Sequence, residues 1–230
     1  MSDKKVHEAG KGDLFQRVQG FREKFQKQIA IAVTVIVVII GGWYAYKVWV
    51  LEPKEEQAGE TIFRAQQYFG EDSLKLALNG DGQSRGFLYI LNNYEGTKAG
   101  NLAKYYAGVC CLRTGDFNNA VKYLKDFSTD ALQIQMMAYG ALADAYSELN
   151  KNDDAVNYYK KAASTFEKDE TISSEYLFRA SLKLETIGKN SEALALYKQL
   201  KEKYPQSEKG MQADKYIYRL SIVPNDFSVK

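Results

Sequence analysis

The sequence predicts an all-α chain: one N-terminal transmembrane helix followed by an α-solenoid of repeated helix pairs, closed by a C-terminal capping helix. Three observations predict it. Residues 29–50 are a 22-residue apolar run carrying a single charge, Lys47. From Leu102 onward the chain repeats itself, with matching alanines 35 and 38 residues apart. Within each repeat, small and bulky residues recur at spacings that suit helices packed side by side.

The elements follow in order. Residues 1–28 form a basic tail with seven Lys/Arg against four acids. In it Leu14, Val18, Phe21 and Phe25 recur at helical spacing among Arg17, Arg22, Lys24 and Lys27. Such a helix suits an anionic membrane face or a partner's cytosolic loops; the plainer reading is a solvated topology signal. Residues 29–50 follow as the span, about 33 Å long at ~1.5 Å per residue. Trp43, Tyr44, Tyr46 and Trp49 gather at its distal end, where amphipathic rings favour the headgroup level and Lys47 can snorkel. Gly41 and Gly42 permit close helix packing and, with Trp43, are candidate membrane or partner contacts. The preceding 28 residues are too long for an ordinary signal-peptide n-region, and no small-x-small site follows, so an uncleaved anchor is expected. The basic bias puts the tail in the cytoplasm and the remaining chain across the membrane, which in a bacterium is the periplasm. A mitochondrial import receptor with N-terminal anchor and helical repeats has the opposite orientation.

Composition excludes several classes of chemistry. Residues 52–230 carry 23 bases and 25 acids, a poor balance for nucleic-acid binding. The single histidine, His7, lies in the tail, so the remainder has no His-based triad and no His-ligated zinc. Cys110 and Cys111 are adjacent inside a helical pattern and read as buried small apolar side chains. There is no phosphate loop, nucleophile elbow or metal-ligand set. No enzyme activity, cofactor, metal or small-molecule substrate is expected.

Residues 51–100 read as a connecting helix and a divergent first repeat, with helices over 55–70, 73–78 and 87–94. Asn79-Gly-Asp-Gly82 resembles a calcium loop only superficially, lacks the further carboxylates, and reads as a turn. Over 101–208 three segments align: LAKYYAGVCCLRTGDFNNAVKYLKDF, MAYGALADAYSELNKNDDAVNYYKKA and YLFRASLKLETIGKNSEALALYKQL. Ala120, Ala155 and Ala193 match; twelve residues before each stands Gly108, Ala143 or Ser181, and four after each Leu124, Tyr159 or Tyr197. Small residues let two antiparallel helices approach, and the bulky residue fills the space beside the contact. The turns Thr-Gly-Asp-Phe, Asn-Lys-Asn-Asp and Gly-Lys-Asn-Ser end the first helix, and their Asn and Asp side chains are expected to cap the second. Tyr204-Pro205 stops the third unit, and Tyr94-Glu-Gly-Thr97 is expected to play the role of Tyr204-Pro-Gln-Ser207. Residues 209–230 supply a polar capping helix and a short tail.

On these residues the segment 101–205 resembles the tetratricopeptide repeat family. The family's early aromatic appears once, as Tyr139, with Lys104 and Leu177 elsewhere, and its terminal proline only as Pro205. The resemblance implies a concave protein-binding groove lined by the first helices. Carried over by position, the groove is Leu102, Tyr105, Val109, Leu112 and Arg113; then Met137, Gly140, Asp144, Ser147 and Glu148; then Glu175, Phe178, Leu182, Glu185 and Thr186. The candidates singled out are Tyr105, Val109, Arg113, Met137, Asp144, Glu148, Phe178, Leu182 and Glu185. The basic, asparagine-rich clamp for acidic chaperone tails is missing. The 17 tyrosines are expected mostly to pack between helices.

The layout of tail, span and repeats is similar to the YfgM-type ancillary subunits of the bacterial Sec translocon. That resemblance implies Sec channel subunits as partners beside the span, and a PpiD-type periplasmic chaperone or emerging secretory chains at the repeats. The alternative is a periplasmic scaffold for cell-wall or outer-membrane assembly.

Overall fold

The computed structural model describes residues 26–28 and 30–222. The chain divides into two compact units, Met1–Lys54 and Glu55–Lys230. In the first, the described residues are helical from Gln26, and Lys47–Leu51 winds as a π-helical turn. The chain has one helix, among the described residues, long and apolar enough to cross a membrane. Its side chains, Ile31, Val35 and Ile39 among them, are exposed, whereas a core helix would bury them. The tail residues Leu14, Val18, Phe21 and Phe25 lie outside the described residues.

Ten α-helices follow among the described residues, with no strand, the first beginning in the last three residues of the first unit: α1 (Glu52–Gly70), α2 (Leu74–Asn79), α3 (Phe87–Asn93), α4 (Lys98–Arg113), α5 (Phe117–Lys125), α6 (Leu132–Glu148), α7 (Asn152–Thr165), α8 (Glu170–Thr186), α9 (Asn190–Lys203) and α10 (Glu208–Ser221). Each helix from α4 onward packs on its neighbours in sequence, so the architecture is a one-dimensional stack. The helix pairs α4–α5, α6–α7 and α8–α9 are the three units read from the sequence.

The residues that defined the repeat are the residues that fill it. Ala120, Ala155 and Ala193 are each fully buried, as are Gly108, Ala143 and Ser181 opposite them. Leu124, Tyr159 and Tyr197 are buried beside the contact. The core forms three successive clusters rather than one. The first joins Ala58, Ile62 and Ala65 of α1 with Phe87 and Ile90 of α3 and the alanines of α4. The second runs from Cys111 through Leu142 and Tyr159 to Ala180, and the third from Val156 through Leu184 and Tyr197 to Ala213. Tyrosines lie between helices in ring contact: Tyr146 with Tyr158 at 5.5 Å, and Tyr197 with Tyr216 at 4.9 Å. Cys110 and Cys111 are free thiols in this core; burial pushes them up to about 12 and about 11.

The three turns inside the repeats are the same turn. Gly115, Asn150 and Gly188 all take left-handed φ, 83°, 57° and 76°. The next amide in each case bonds back five residues: Asp116 to Cys111 O, Lys151 to Tyr146 O and Lys189 to Leu184 O, at 2.8, 2.9 and 2.9 Å. Capping of the second helix departs from expectation. Asp116 alone caps by side chain, accepting from the Asn119 amide; Lys151 and Lys189 occupy the other two cap positions and make no such bond. The five-residue closure fixes which residue follows the left-handed one, and in two repeats that residue is lysine, leaving Asn152 and Asn190 already helical.

The boundaries of the stack repeat as well. Thr97 Oγ1 donates to Tyr94 O and accepts from Gly100 N; Ser207 Oγ donates to Tyr204 O and accepts from Gly210 N. The expected equivalence of the two segments is therefore realised bond for bond. The turn at Asn79–Gly82 is held by one carboxylate: Asp81 Oδ1 accepts from the Gln83 and Ser84 amides, and Oδ2 accepts from Tyr68 Oη of α1 at 2.6 Å. The tyrosine, then the amides, hold the Asp81 carboxyl down to about 2.

Candidate protein-binding groove

The first helices of the repeats, α4, α6 and α8, carry the positions expected to line the groove. Their approach is set by two close contacts. At Gly108 an added Cβ would stand 2.5 Å from Leu124 Cγ, so α5 lies directly on the α4 backbone. At Gly140 it would stand 2.2 Å from Tyr176 Cε1, so the ring of α8 is seated on bare backbone of α6. Burial, then the nearby Asp144 carboxylate, pushes the Tyr176 phenol up to about 12.

Seating Tyr176 there brings Arg179, one turn further along α8, against α6. Its Nη1 donates to Asp144 Oδ1 and Oδ2 at 3.2 and 3.3 Å, and its Nε donates to Glu175 Oε1 at 2.8 Å. The guanidinium thus bridges two carboxylates on two repeats through separate nitrogens of its planar fork. Tyr159 Oη also donates to Asp144 Oδ1. Burial first, and that acceptor second, raise the Tyr159 phenol beyond its ordinary range. Glu175 is lowered in spite of its burial, because Arg179 and Lys209 attend it. The same device recurs in the next repeat, where Tyr197 Oη donates to Glu185 Oε2 at 3.2 Å and Arg219 donates to Glu185 Oε1.

An open cavity of about 470 Å³ lies over this network. It is lined by Leu112, Arg113 and Phe117 of the first repeat, Asp144, Ser147 and Glu148 of α6, and Tyr159 and Arg179 beyond them. Three of the nine candidate residues, Arg113, Asp144 and Glu148, therefore meet in one place. Arg113 also reaches back to Asp72, at 2.7 Å. Met137 and Leu182 are exposed and lie outside this cavity. Tyr105 and Val109 are half-buried against the second core cluster, with the Tyr105 ring 5.5 Å from Phe127. Phe178 is a core residue rather than an open groove position: 8% exposed, it packs edge-on against Tyr216 at 5.1 Å. The last helix reaches over that position, which the repeat pattern alone does not anticipate. Glu185 is committed to Tyr197 and Arg219, as described.

The sequence reading missed Arg179 and Tyr176, and took Tyr159 as a packing residue without its bond to Asp144. Arg179 stood four residues after Glu175, a visible helical pair, but no single-repeat position marked it as reaching the preceding repeat. In the apolar unit, Gly41 and Gly42 have open space around them, and Trp43 is exposed with Lys47 Nζ 5.9 Å from its ring. Among the described residues there is no cluster of His, Cys, Asp and Glu suited to a metal ion.

The stack and its groove define a helical-repeat protein. Comparison with known proteins gives the class of repeat: residues 138–169 and 176–207 each match a tetratricopeptide repeat model. The chain thus carries tetratricopeptide repeats, which are protein–protein interaction modules and typically non-catalytic scaffolds. The matches fall on the second and third repeat units, α6–α7 and α8–α9. No curated protein matches the chain.

Proposed function

We propose that this chain is a membrane-anchored periplasmic protein-binding module, an accessory subunit of the Sec channel. Its repeats hold a PpiD-type chaperone or an emerging secretory chain. The observation that supports the binding role is the meeting of Arg113, Asp144 and Glu148 in one open cavity. A cavity with apolar walls at Leu112 and Phe117 and paired charges on its floor suits an extended or helical peptide. The cations beside it are held: Arg113 by Asp72, Arg179 by Asp144 and Glu175. An acidic chaperone tail would compete with those carboxylates for the same cations, whereas a mixed apolar segment would not. The exposed apolar helix and the basic residues ahead of it support anchorage with the repeats across the membrane.

The test is in-cell photocrosslinking from Trp43 and from Glu148, read by mass spectrometry. Channel subunits captured at Trp43, with a chaperone or secretory chains at Glu148, are the expected result. Cell-wall or outer-membrane assembly proteins at both positions, with no channel subunit, would replace this reading with an envelope scaffold.

A further inference from the structure

The last helix of a repeat stack ordinarily turns a polar face to water, since nothing follows to cover it. Helix α10 is the last helix among the described residues, and its exposed stripe is largely apolar. Met211 and Tyr218 are 65% and 72% exposed, and Ile222, the residue that ends the helix, is 54% exposed. With Lys215 between them they fall on one stripe, at steps of four, three and four residues.

The matched caps at Thr97 and Ser207 show which face this is. They set α10 in register with α4, so Gly210 stands where Gly100 does, the buried Ala213 where Ala103 does, and Tyr218 where Gly108 does. Gly108 is the point at which α4 receives its own second helix, through Leu124. Met211, Lys215 and Ile222 stand where Asn101, Tyr105 and Leu112 do, so the stripe runs along the border between the second-helix face and the groove face, and it is exposed among the described residues. A tyrosine replaces the small residue on which the close contact depends. A further repeat helix cannot seat there as α5 does on α4.

We propose that this stripe pairs, antiparallel, with the same stripe of a second copy of the chain. Met211, Lys215, Tyr218 and Ile222 take alternate d and a positions of a two-heptad seam. Antiparallel pairing places d against a. Each Met211 then meets the partner copy's Ile222, and each Lys215 ammonium meets the partner copy's Tyr218 ring, a favourable cation–π contact. A parallel pairing would set the two Lys215 ammonium groups on each other inside the seam, an unfavourable contact. The flanking positions carry Asp214 on one side and Gln212 and Arg219 on the other; antiparallel register opposes Asp214 to Ser221 and Arg219 to Gln212, with no clash of like charge. The seam is short, so the dimer is weak in solution and is strengthened wherever two copies share one membrane. The pairing is independent of which client the groove takes.

The experiment uses the full chain in detergent micelles and in nanodiscs holding two copies. Copies carrying Met211→Cys are mixed with copies carrying Ile222→Cys and oxidised. Disulfide-linked dimers are expected in the mixture and not in either variant alone, because like positions lie about 16 Å apart along an antiparallel pair. Sedimentation of the unmodified chain at tens of micromolar should show a monomer–dimer equilibrium. Tyr218→Asp should weaken it about tenfold or more, leaving helix content unchanged because Tyr218 is exposed. A chain that stays monomeric, Met211→Cys copies that crosslink with themselves, or a dimer indifferent to Tyr218→Asp would each overturn the proposal. The last outcome would assign pairing to another surface, such as the apolar helix.

Discussion

Gly108→Ala separates two accounts of how these repeats pack. By repeat position the substitution is harmless, since Ala143 and Ser181 occupy the equivalent sites in the neighbouring units. An alanine also favours an interior helical position over glycine by about 1 kcal/mol. The local geometry says the opposite. The new methyl would lie 2.5 Å from Leu124 Cγ, 2.9 Å from its Cδ2 and 3.3 Å from its backbone nitrogen. Relief of the first contact requires a shift of about 1 Å, to reach ordinary carbon–carbon separation. The backbone contact prevents Leu124 from escaping by rotamer change alone. Overpacking of this kind costs about 1–3 kcal/mol, and its upper half applies here. The net expectation is a loss of about 1–2 kcal/mol after the helical gain, or about 3–6 °C in melting temperature for a domain of this size. The assay is equilibrium urea unfolding of the full chain with hydrogen exchange across α4 and α5. Gly59→Ala in α1, where an added Cβ meets nothing within 4 Å, is the control and should stabilise by about 0.5–1 kcal/mol. If Gly108→Ala stabilises as the control does, the contact does not limit the approach of α5 to α4.

Four further outcomes follow from the geometry. Tyr159→Phe removes the phenol that donates to Asp144 while Arg179 still attends that carboxylate, so a loss of about 1 kcal/mol is expected by chemical denaturation. Cys110 and Cys111, raised by burial to about 12 and about 11, stay protonated at pH 8; iodoacetamide should label neither in the native chain and both in urea, by intact mass. Asp81 binds its proton at about 2 when folded against 3.8 as its ordinary value, so its stabilisation is complete above pH 4 and fades as pH falls through about 2. Tyr68→Phe removes the largest cause of that depression, so loosening of the 79–85 loop, read by hydrogen exchange, should begin at higher pH.

Much of the fold was legible because repetition amplifies weak signals. One alanine among hydrophobic neighbours means little, but Ala120, Ala155 and Ala193 with the same partners before and after specify a packed helix pair. The boundary tyrosines, Tyr94 and Tyr204, were readable for the same reason. The site was less legible, since its decisive contacts join different repeats. Nothing in the α8 sequence alone says that Arg179 crosses to Asp144, because that contact depends on Tyr176 sitting over Gly140. Phe178 shows the converse: a correct repeat position, covered by Tyr216 from a helix whose path periodicity does not fix. The capping of α7 and α9 was misread because asparagine is a good cap in isolation, while the turn closure had already assigned that place to lysine.

The duplicate hydroxyl caps at Thr97 and Ser207 have an evolutionary consequence. They bracket a cassette of 110 residues whose two ends present the same tyrosine carbonyl, the same hydroxyl and the same glycine amide. A recombination that copied or excised the whole cassette would rejoin the chain through a junction already used. Such chains can therefore lengthen or shorten by this quantum without inventing a new joint, and the number of repeats becomes a property that selection can tune to the size of the client.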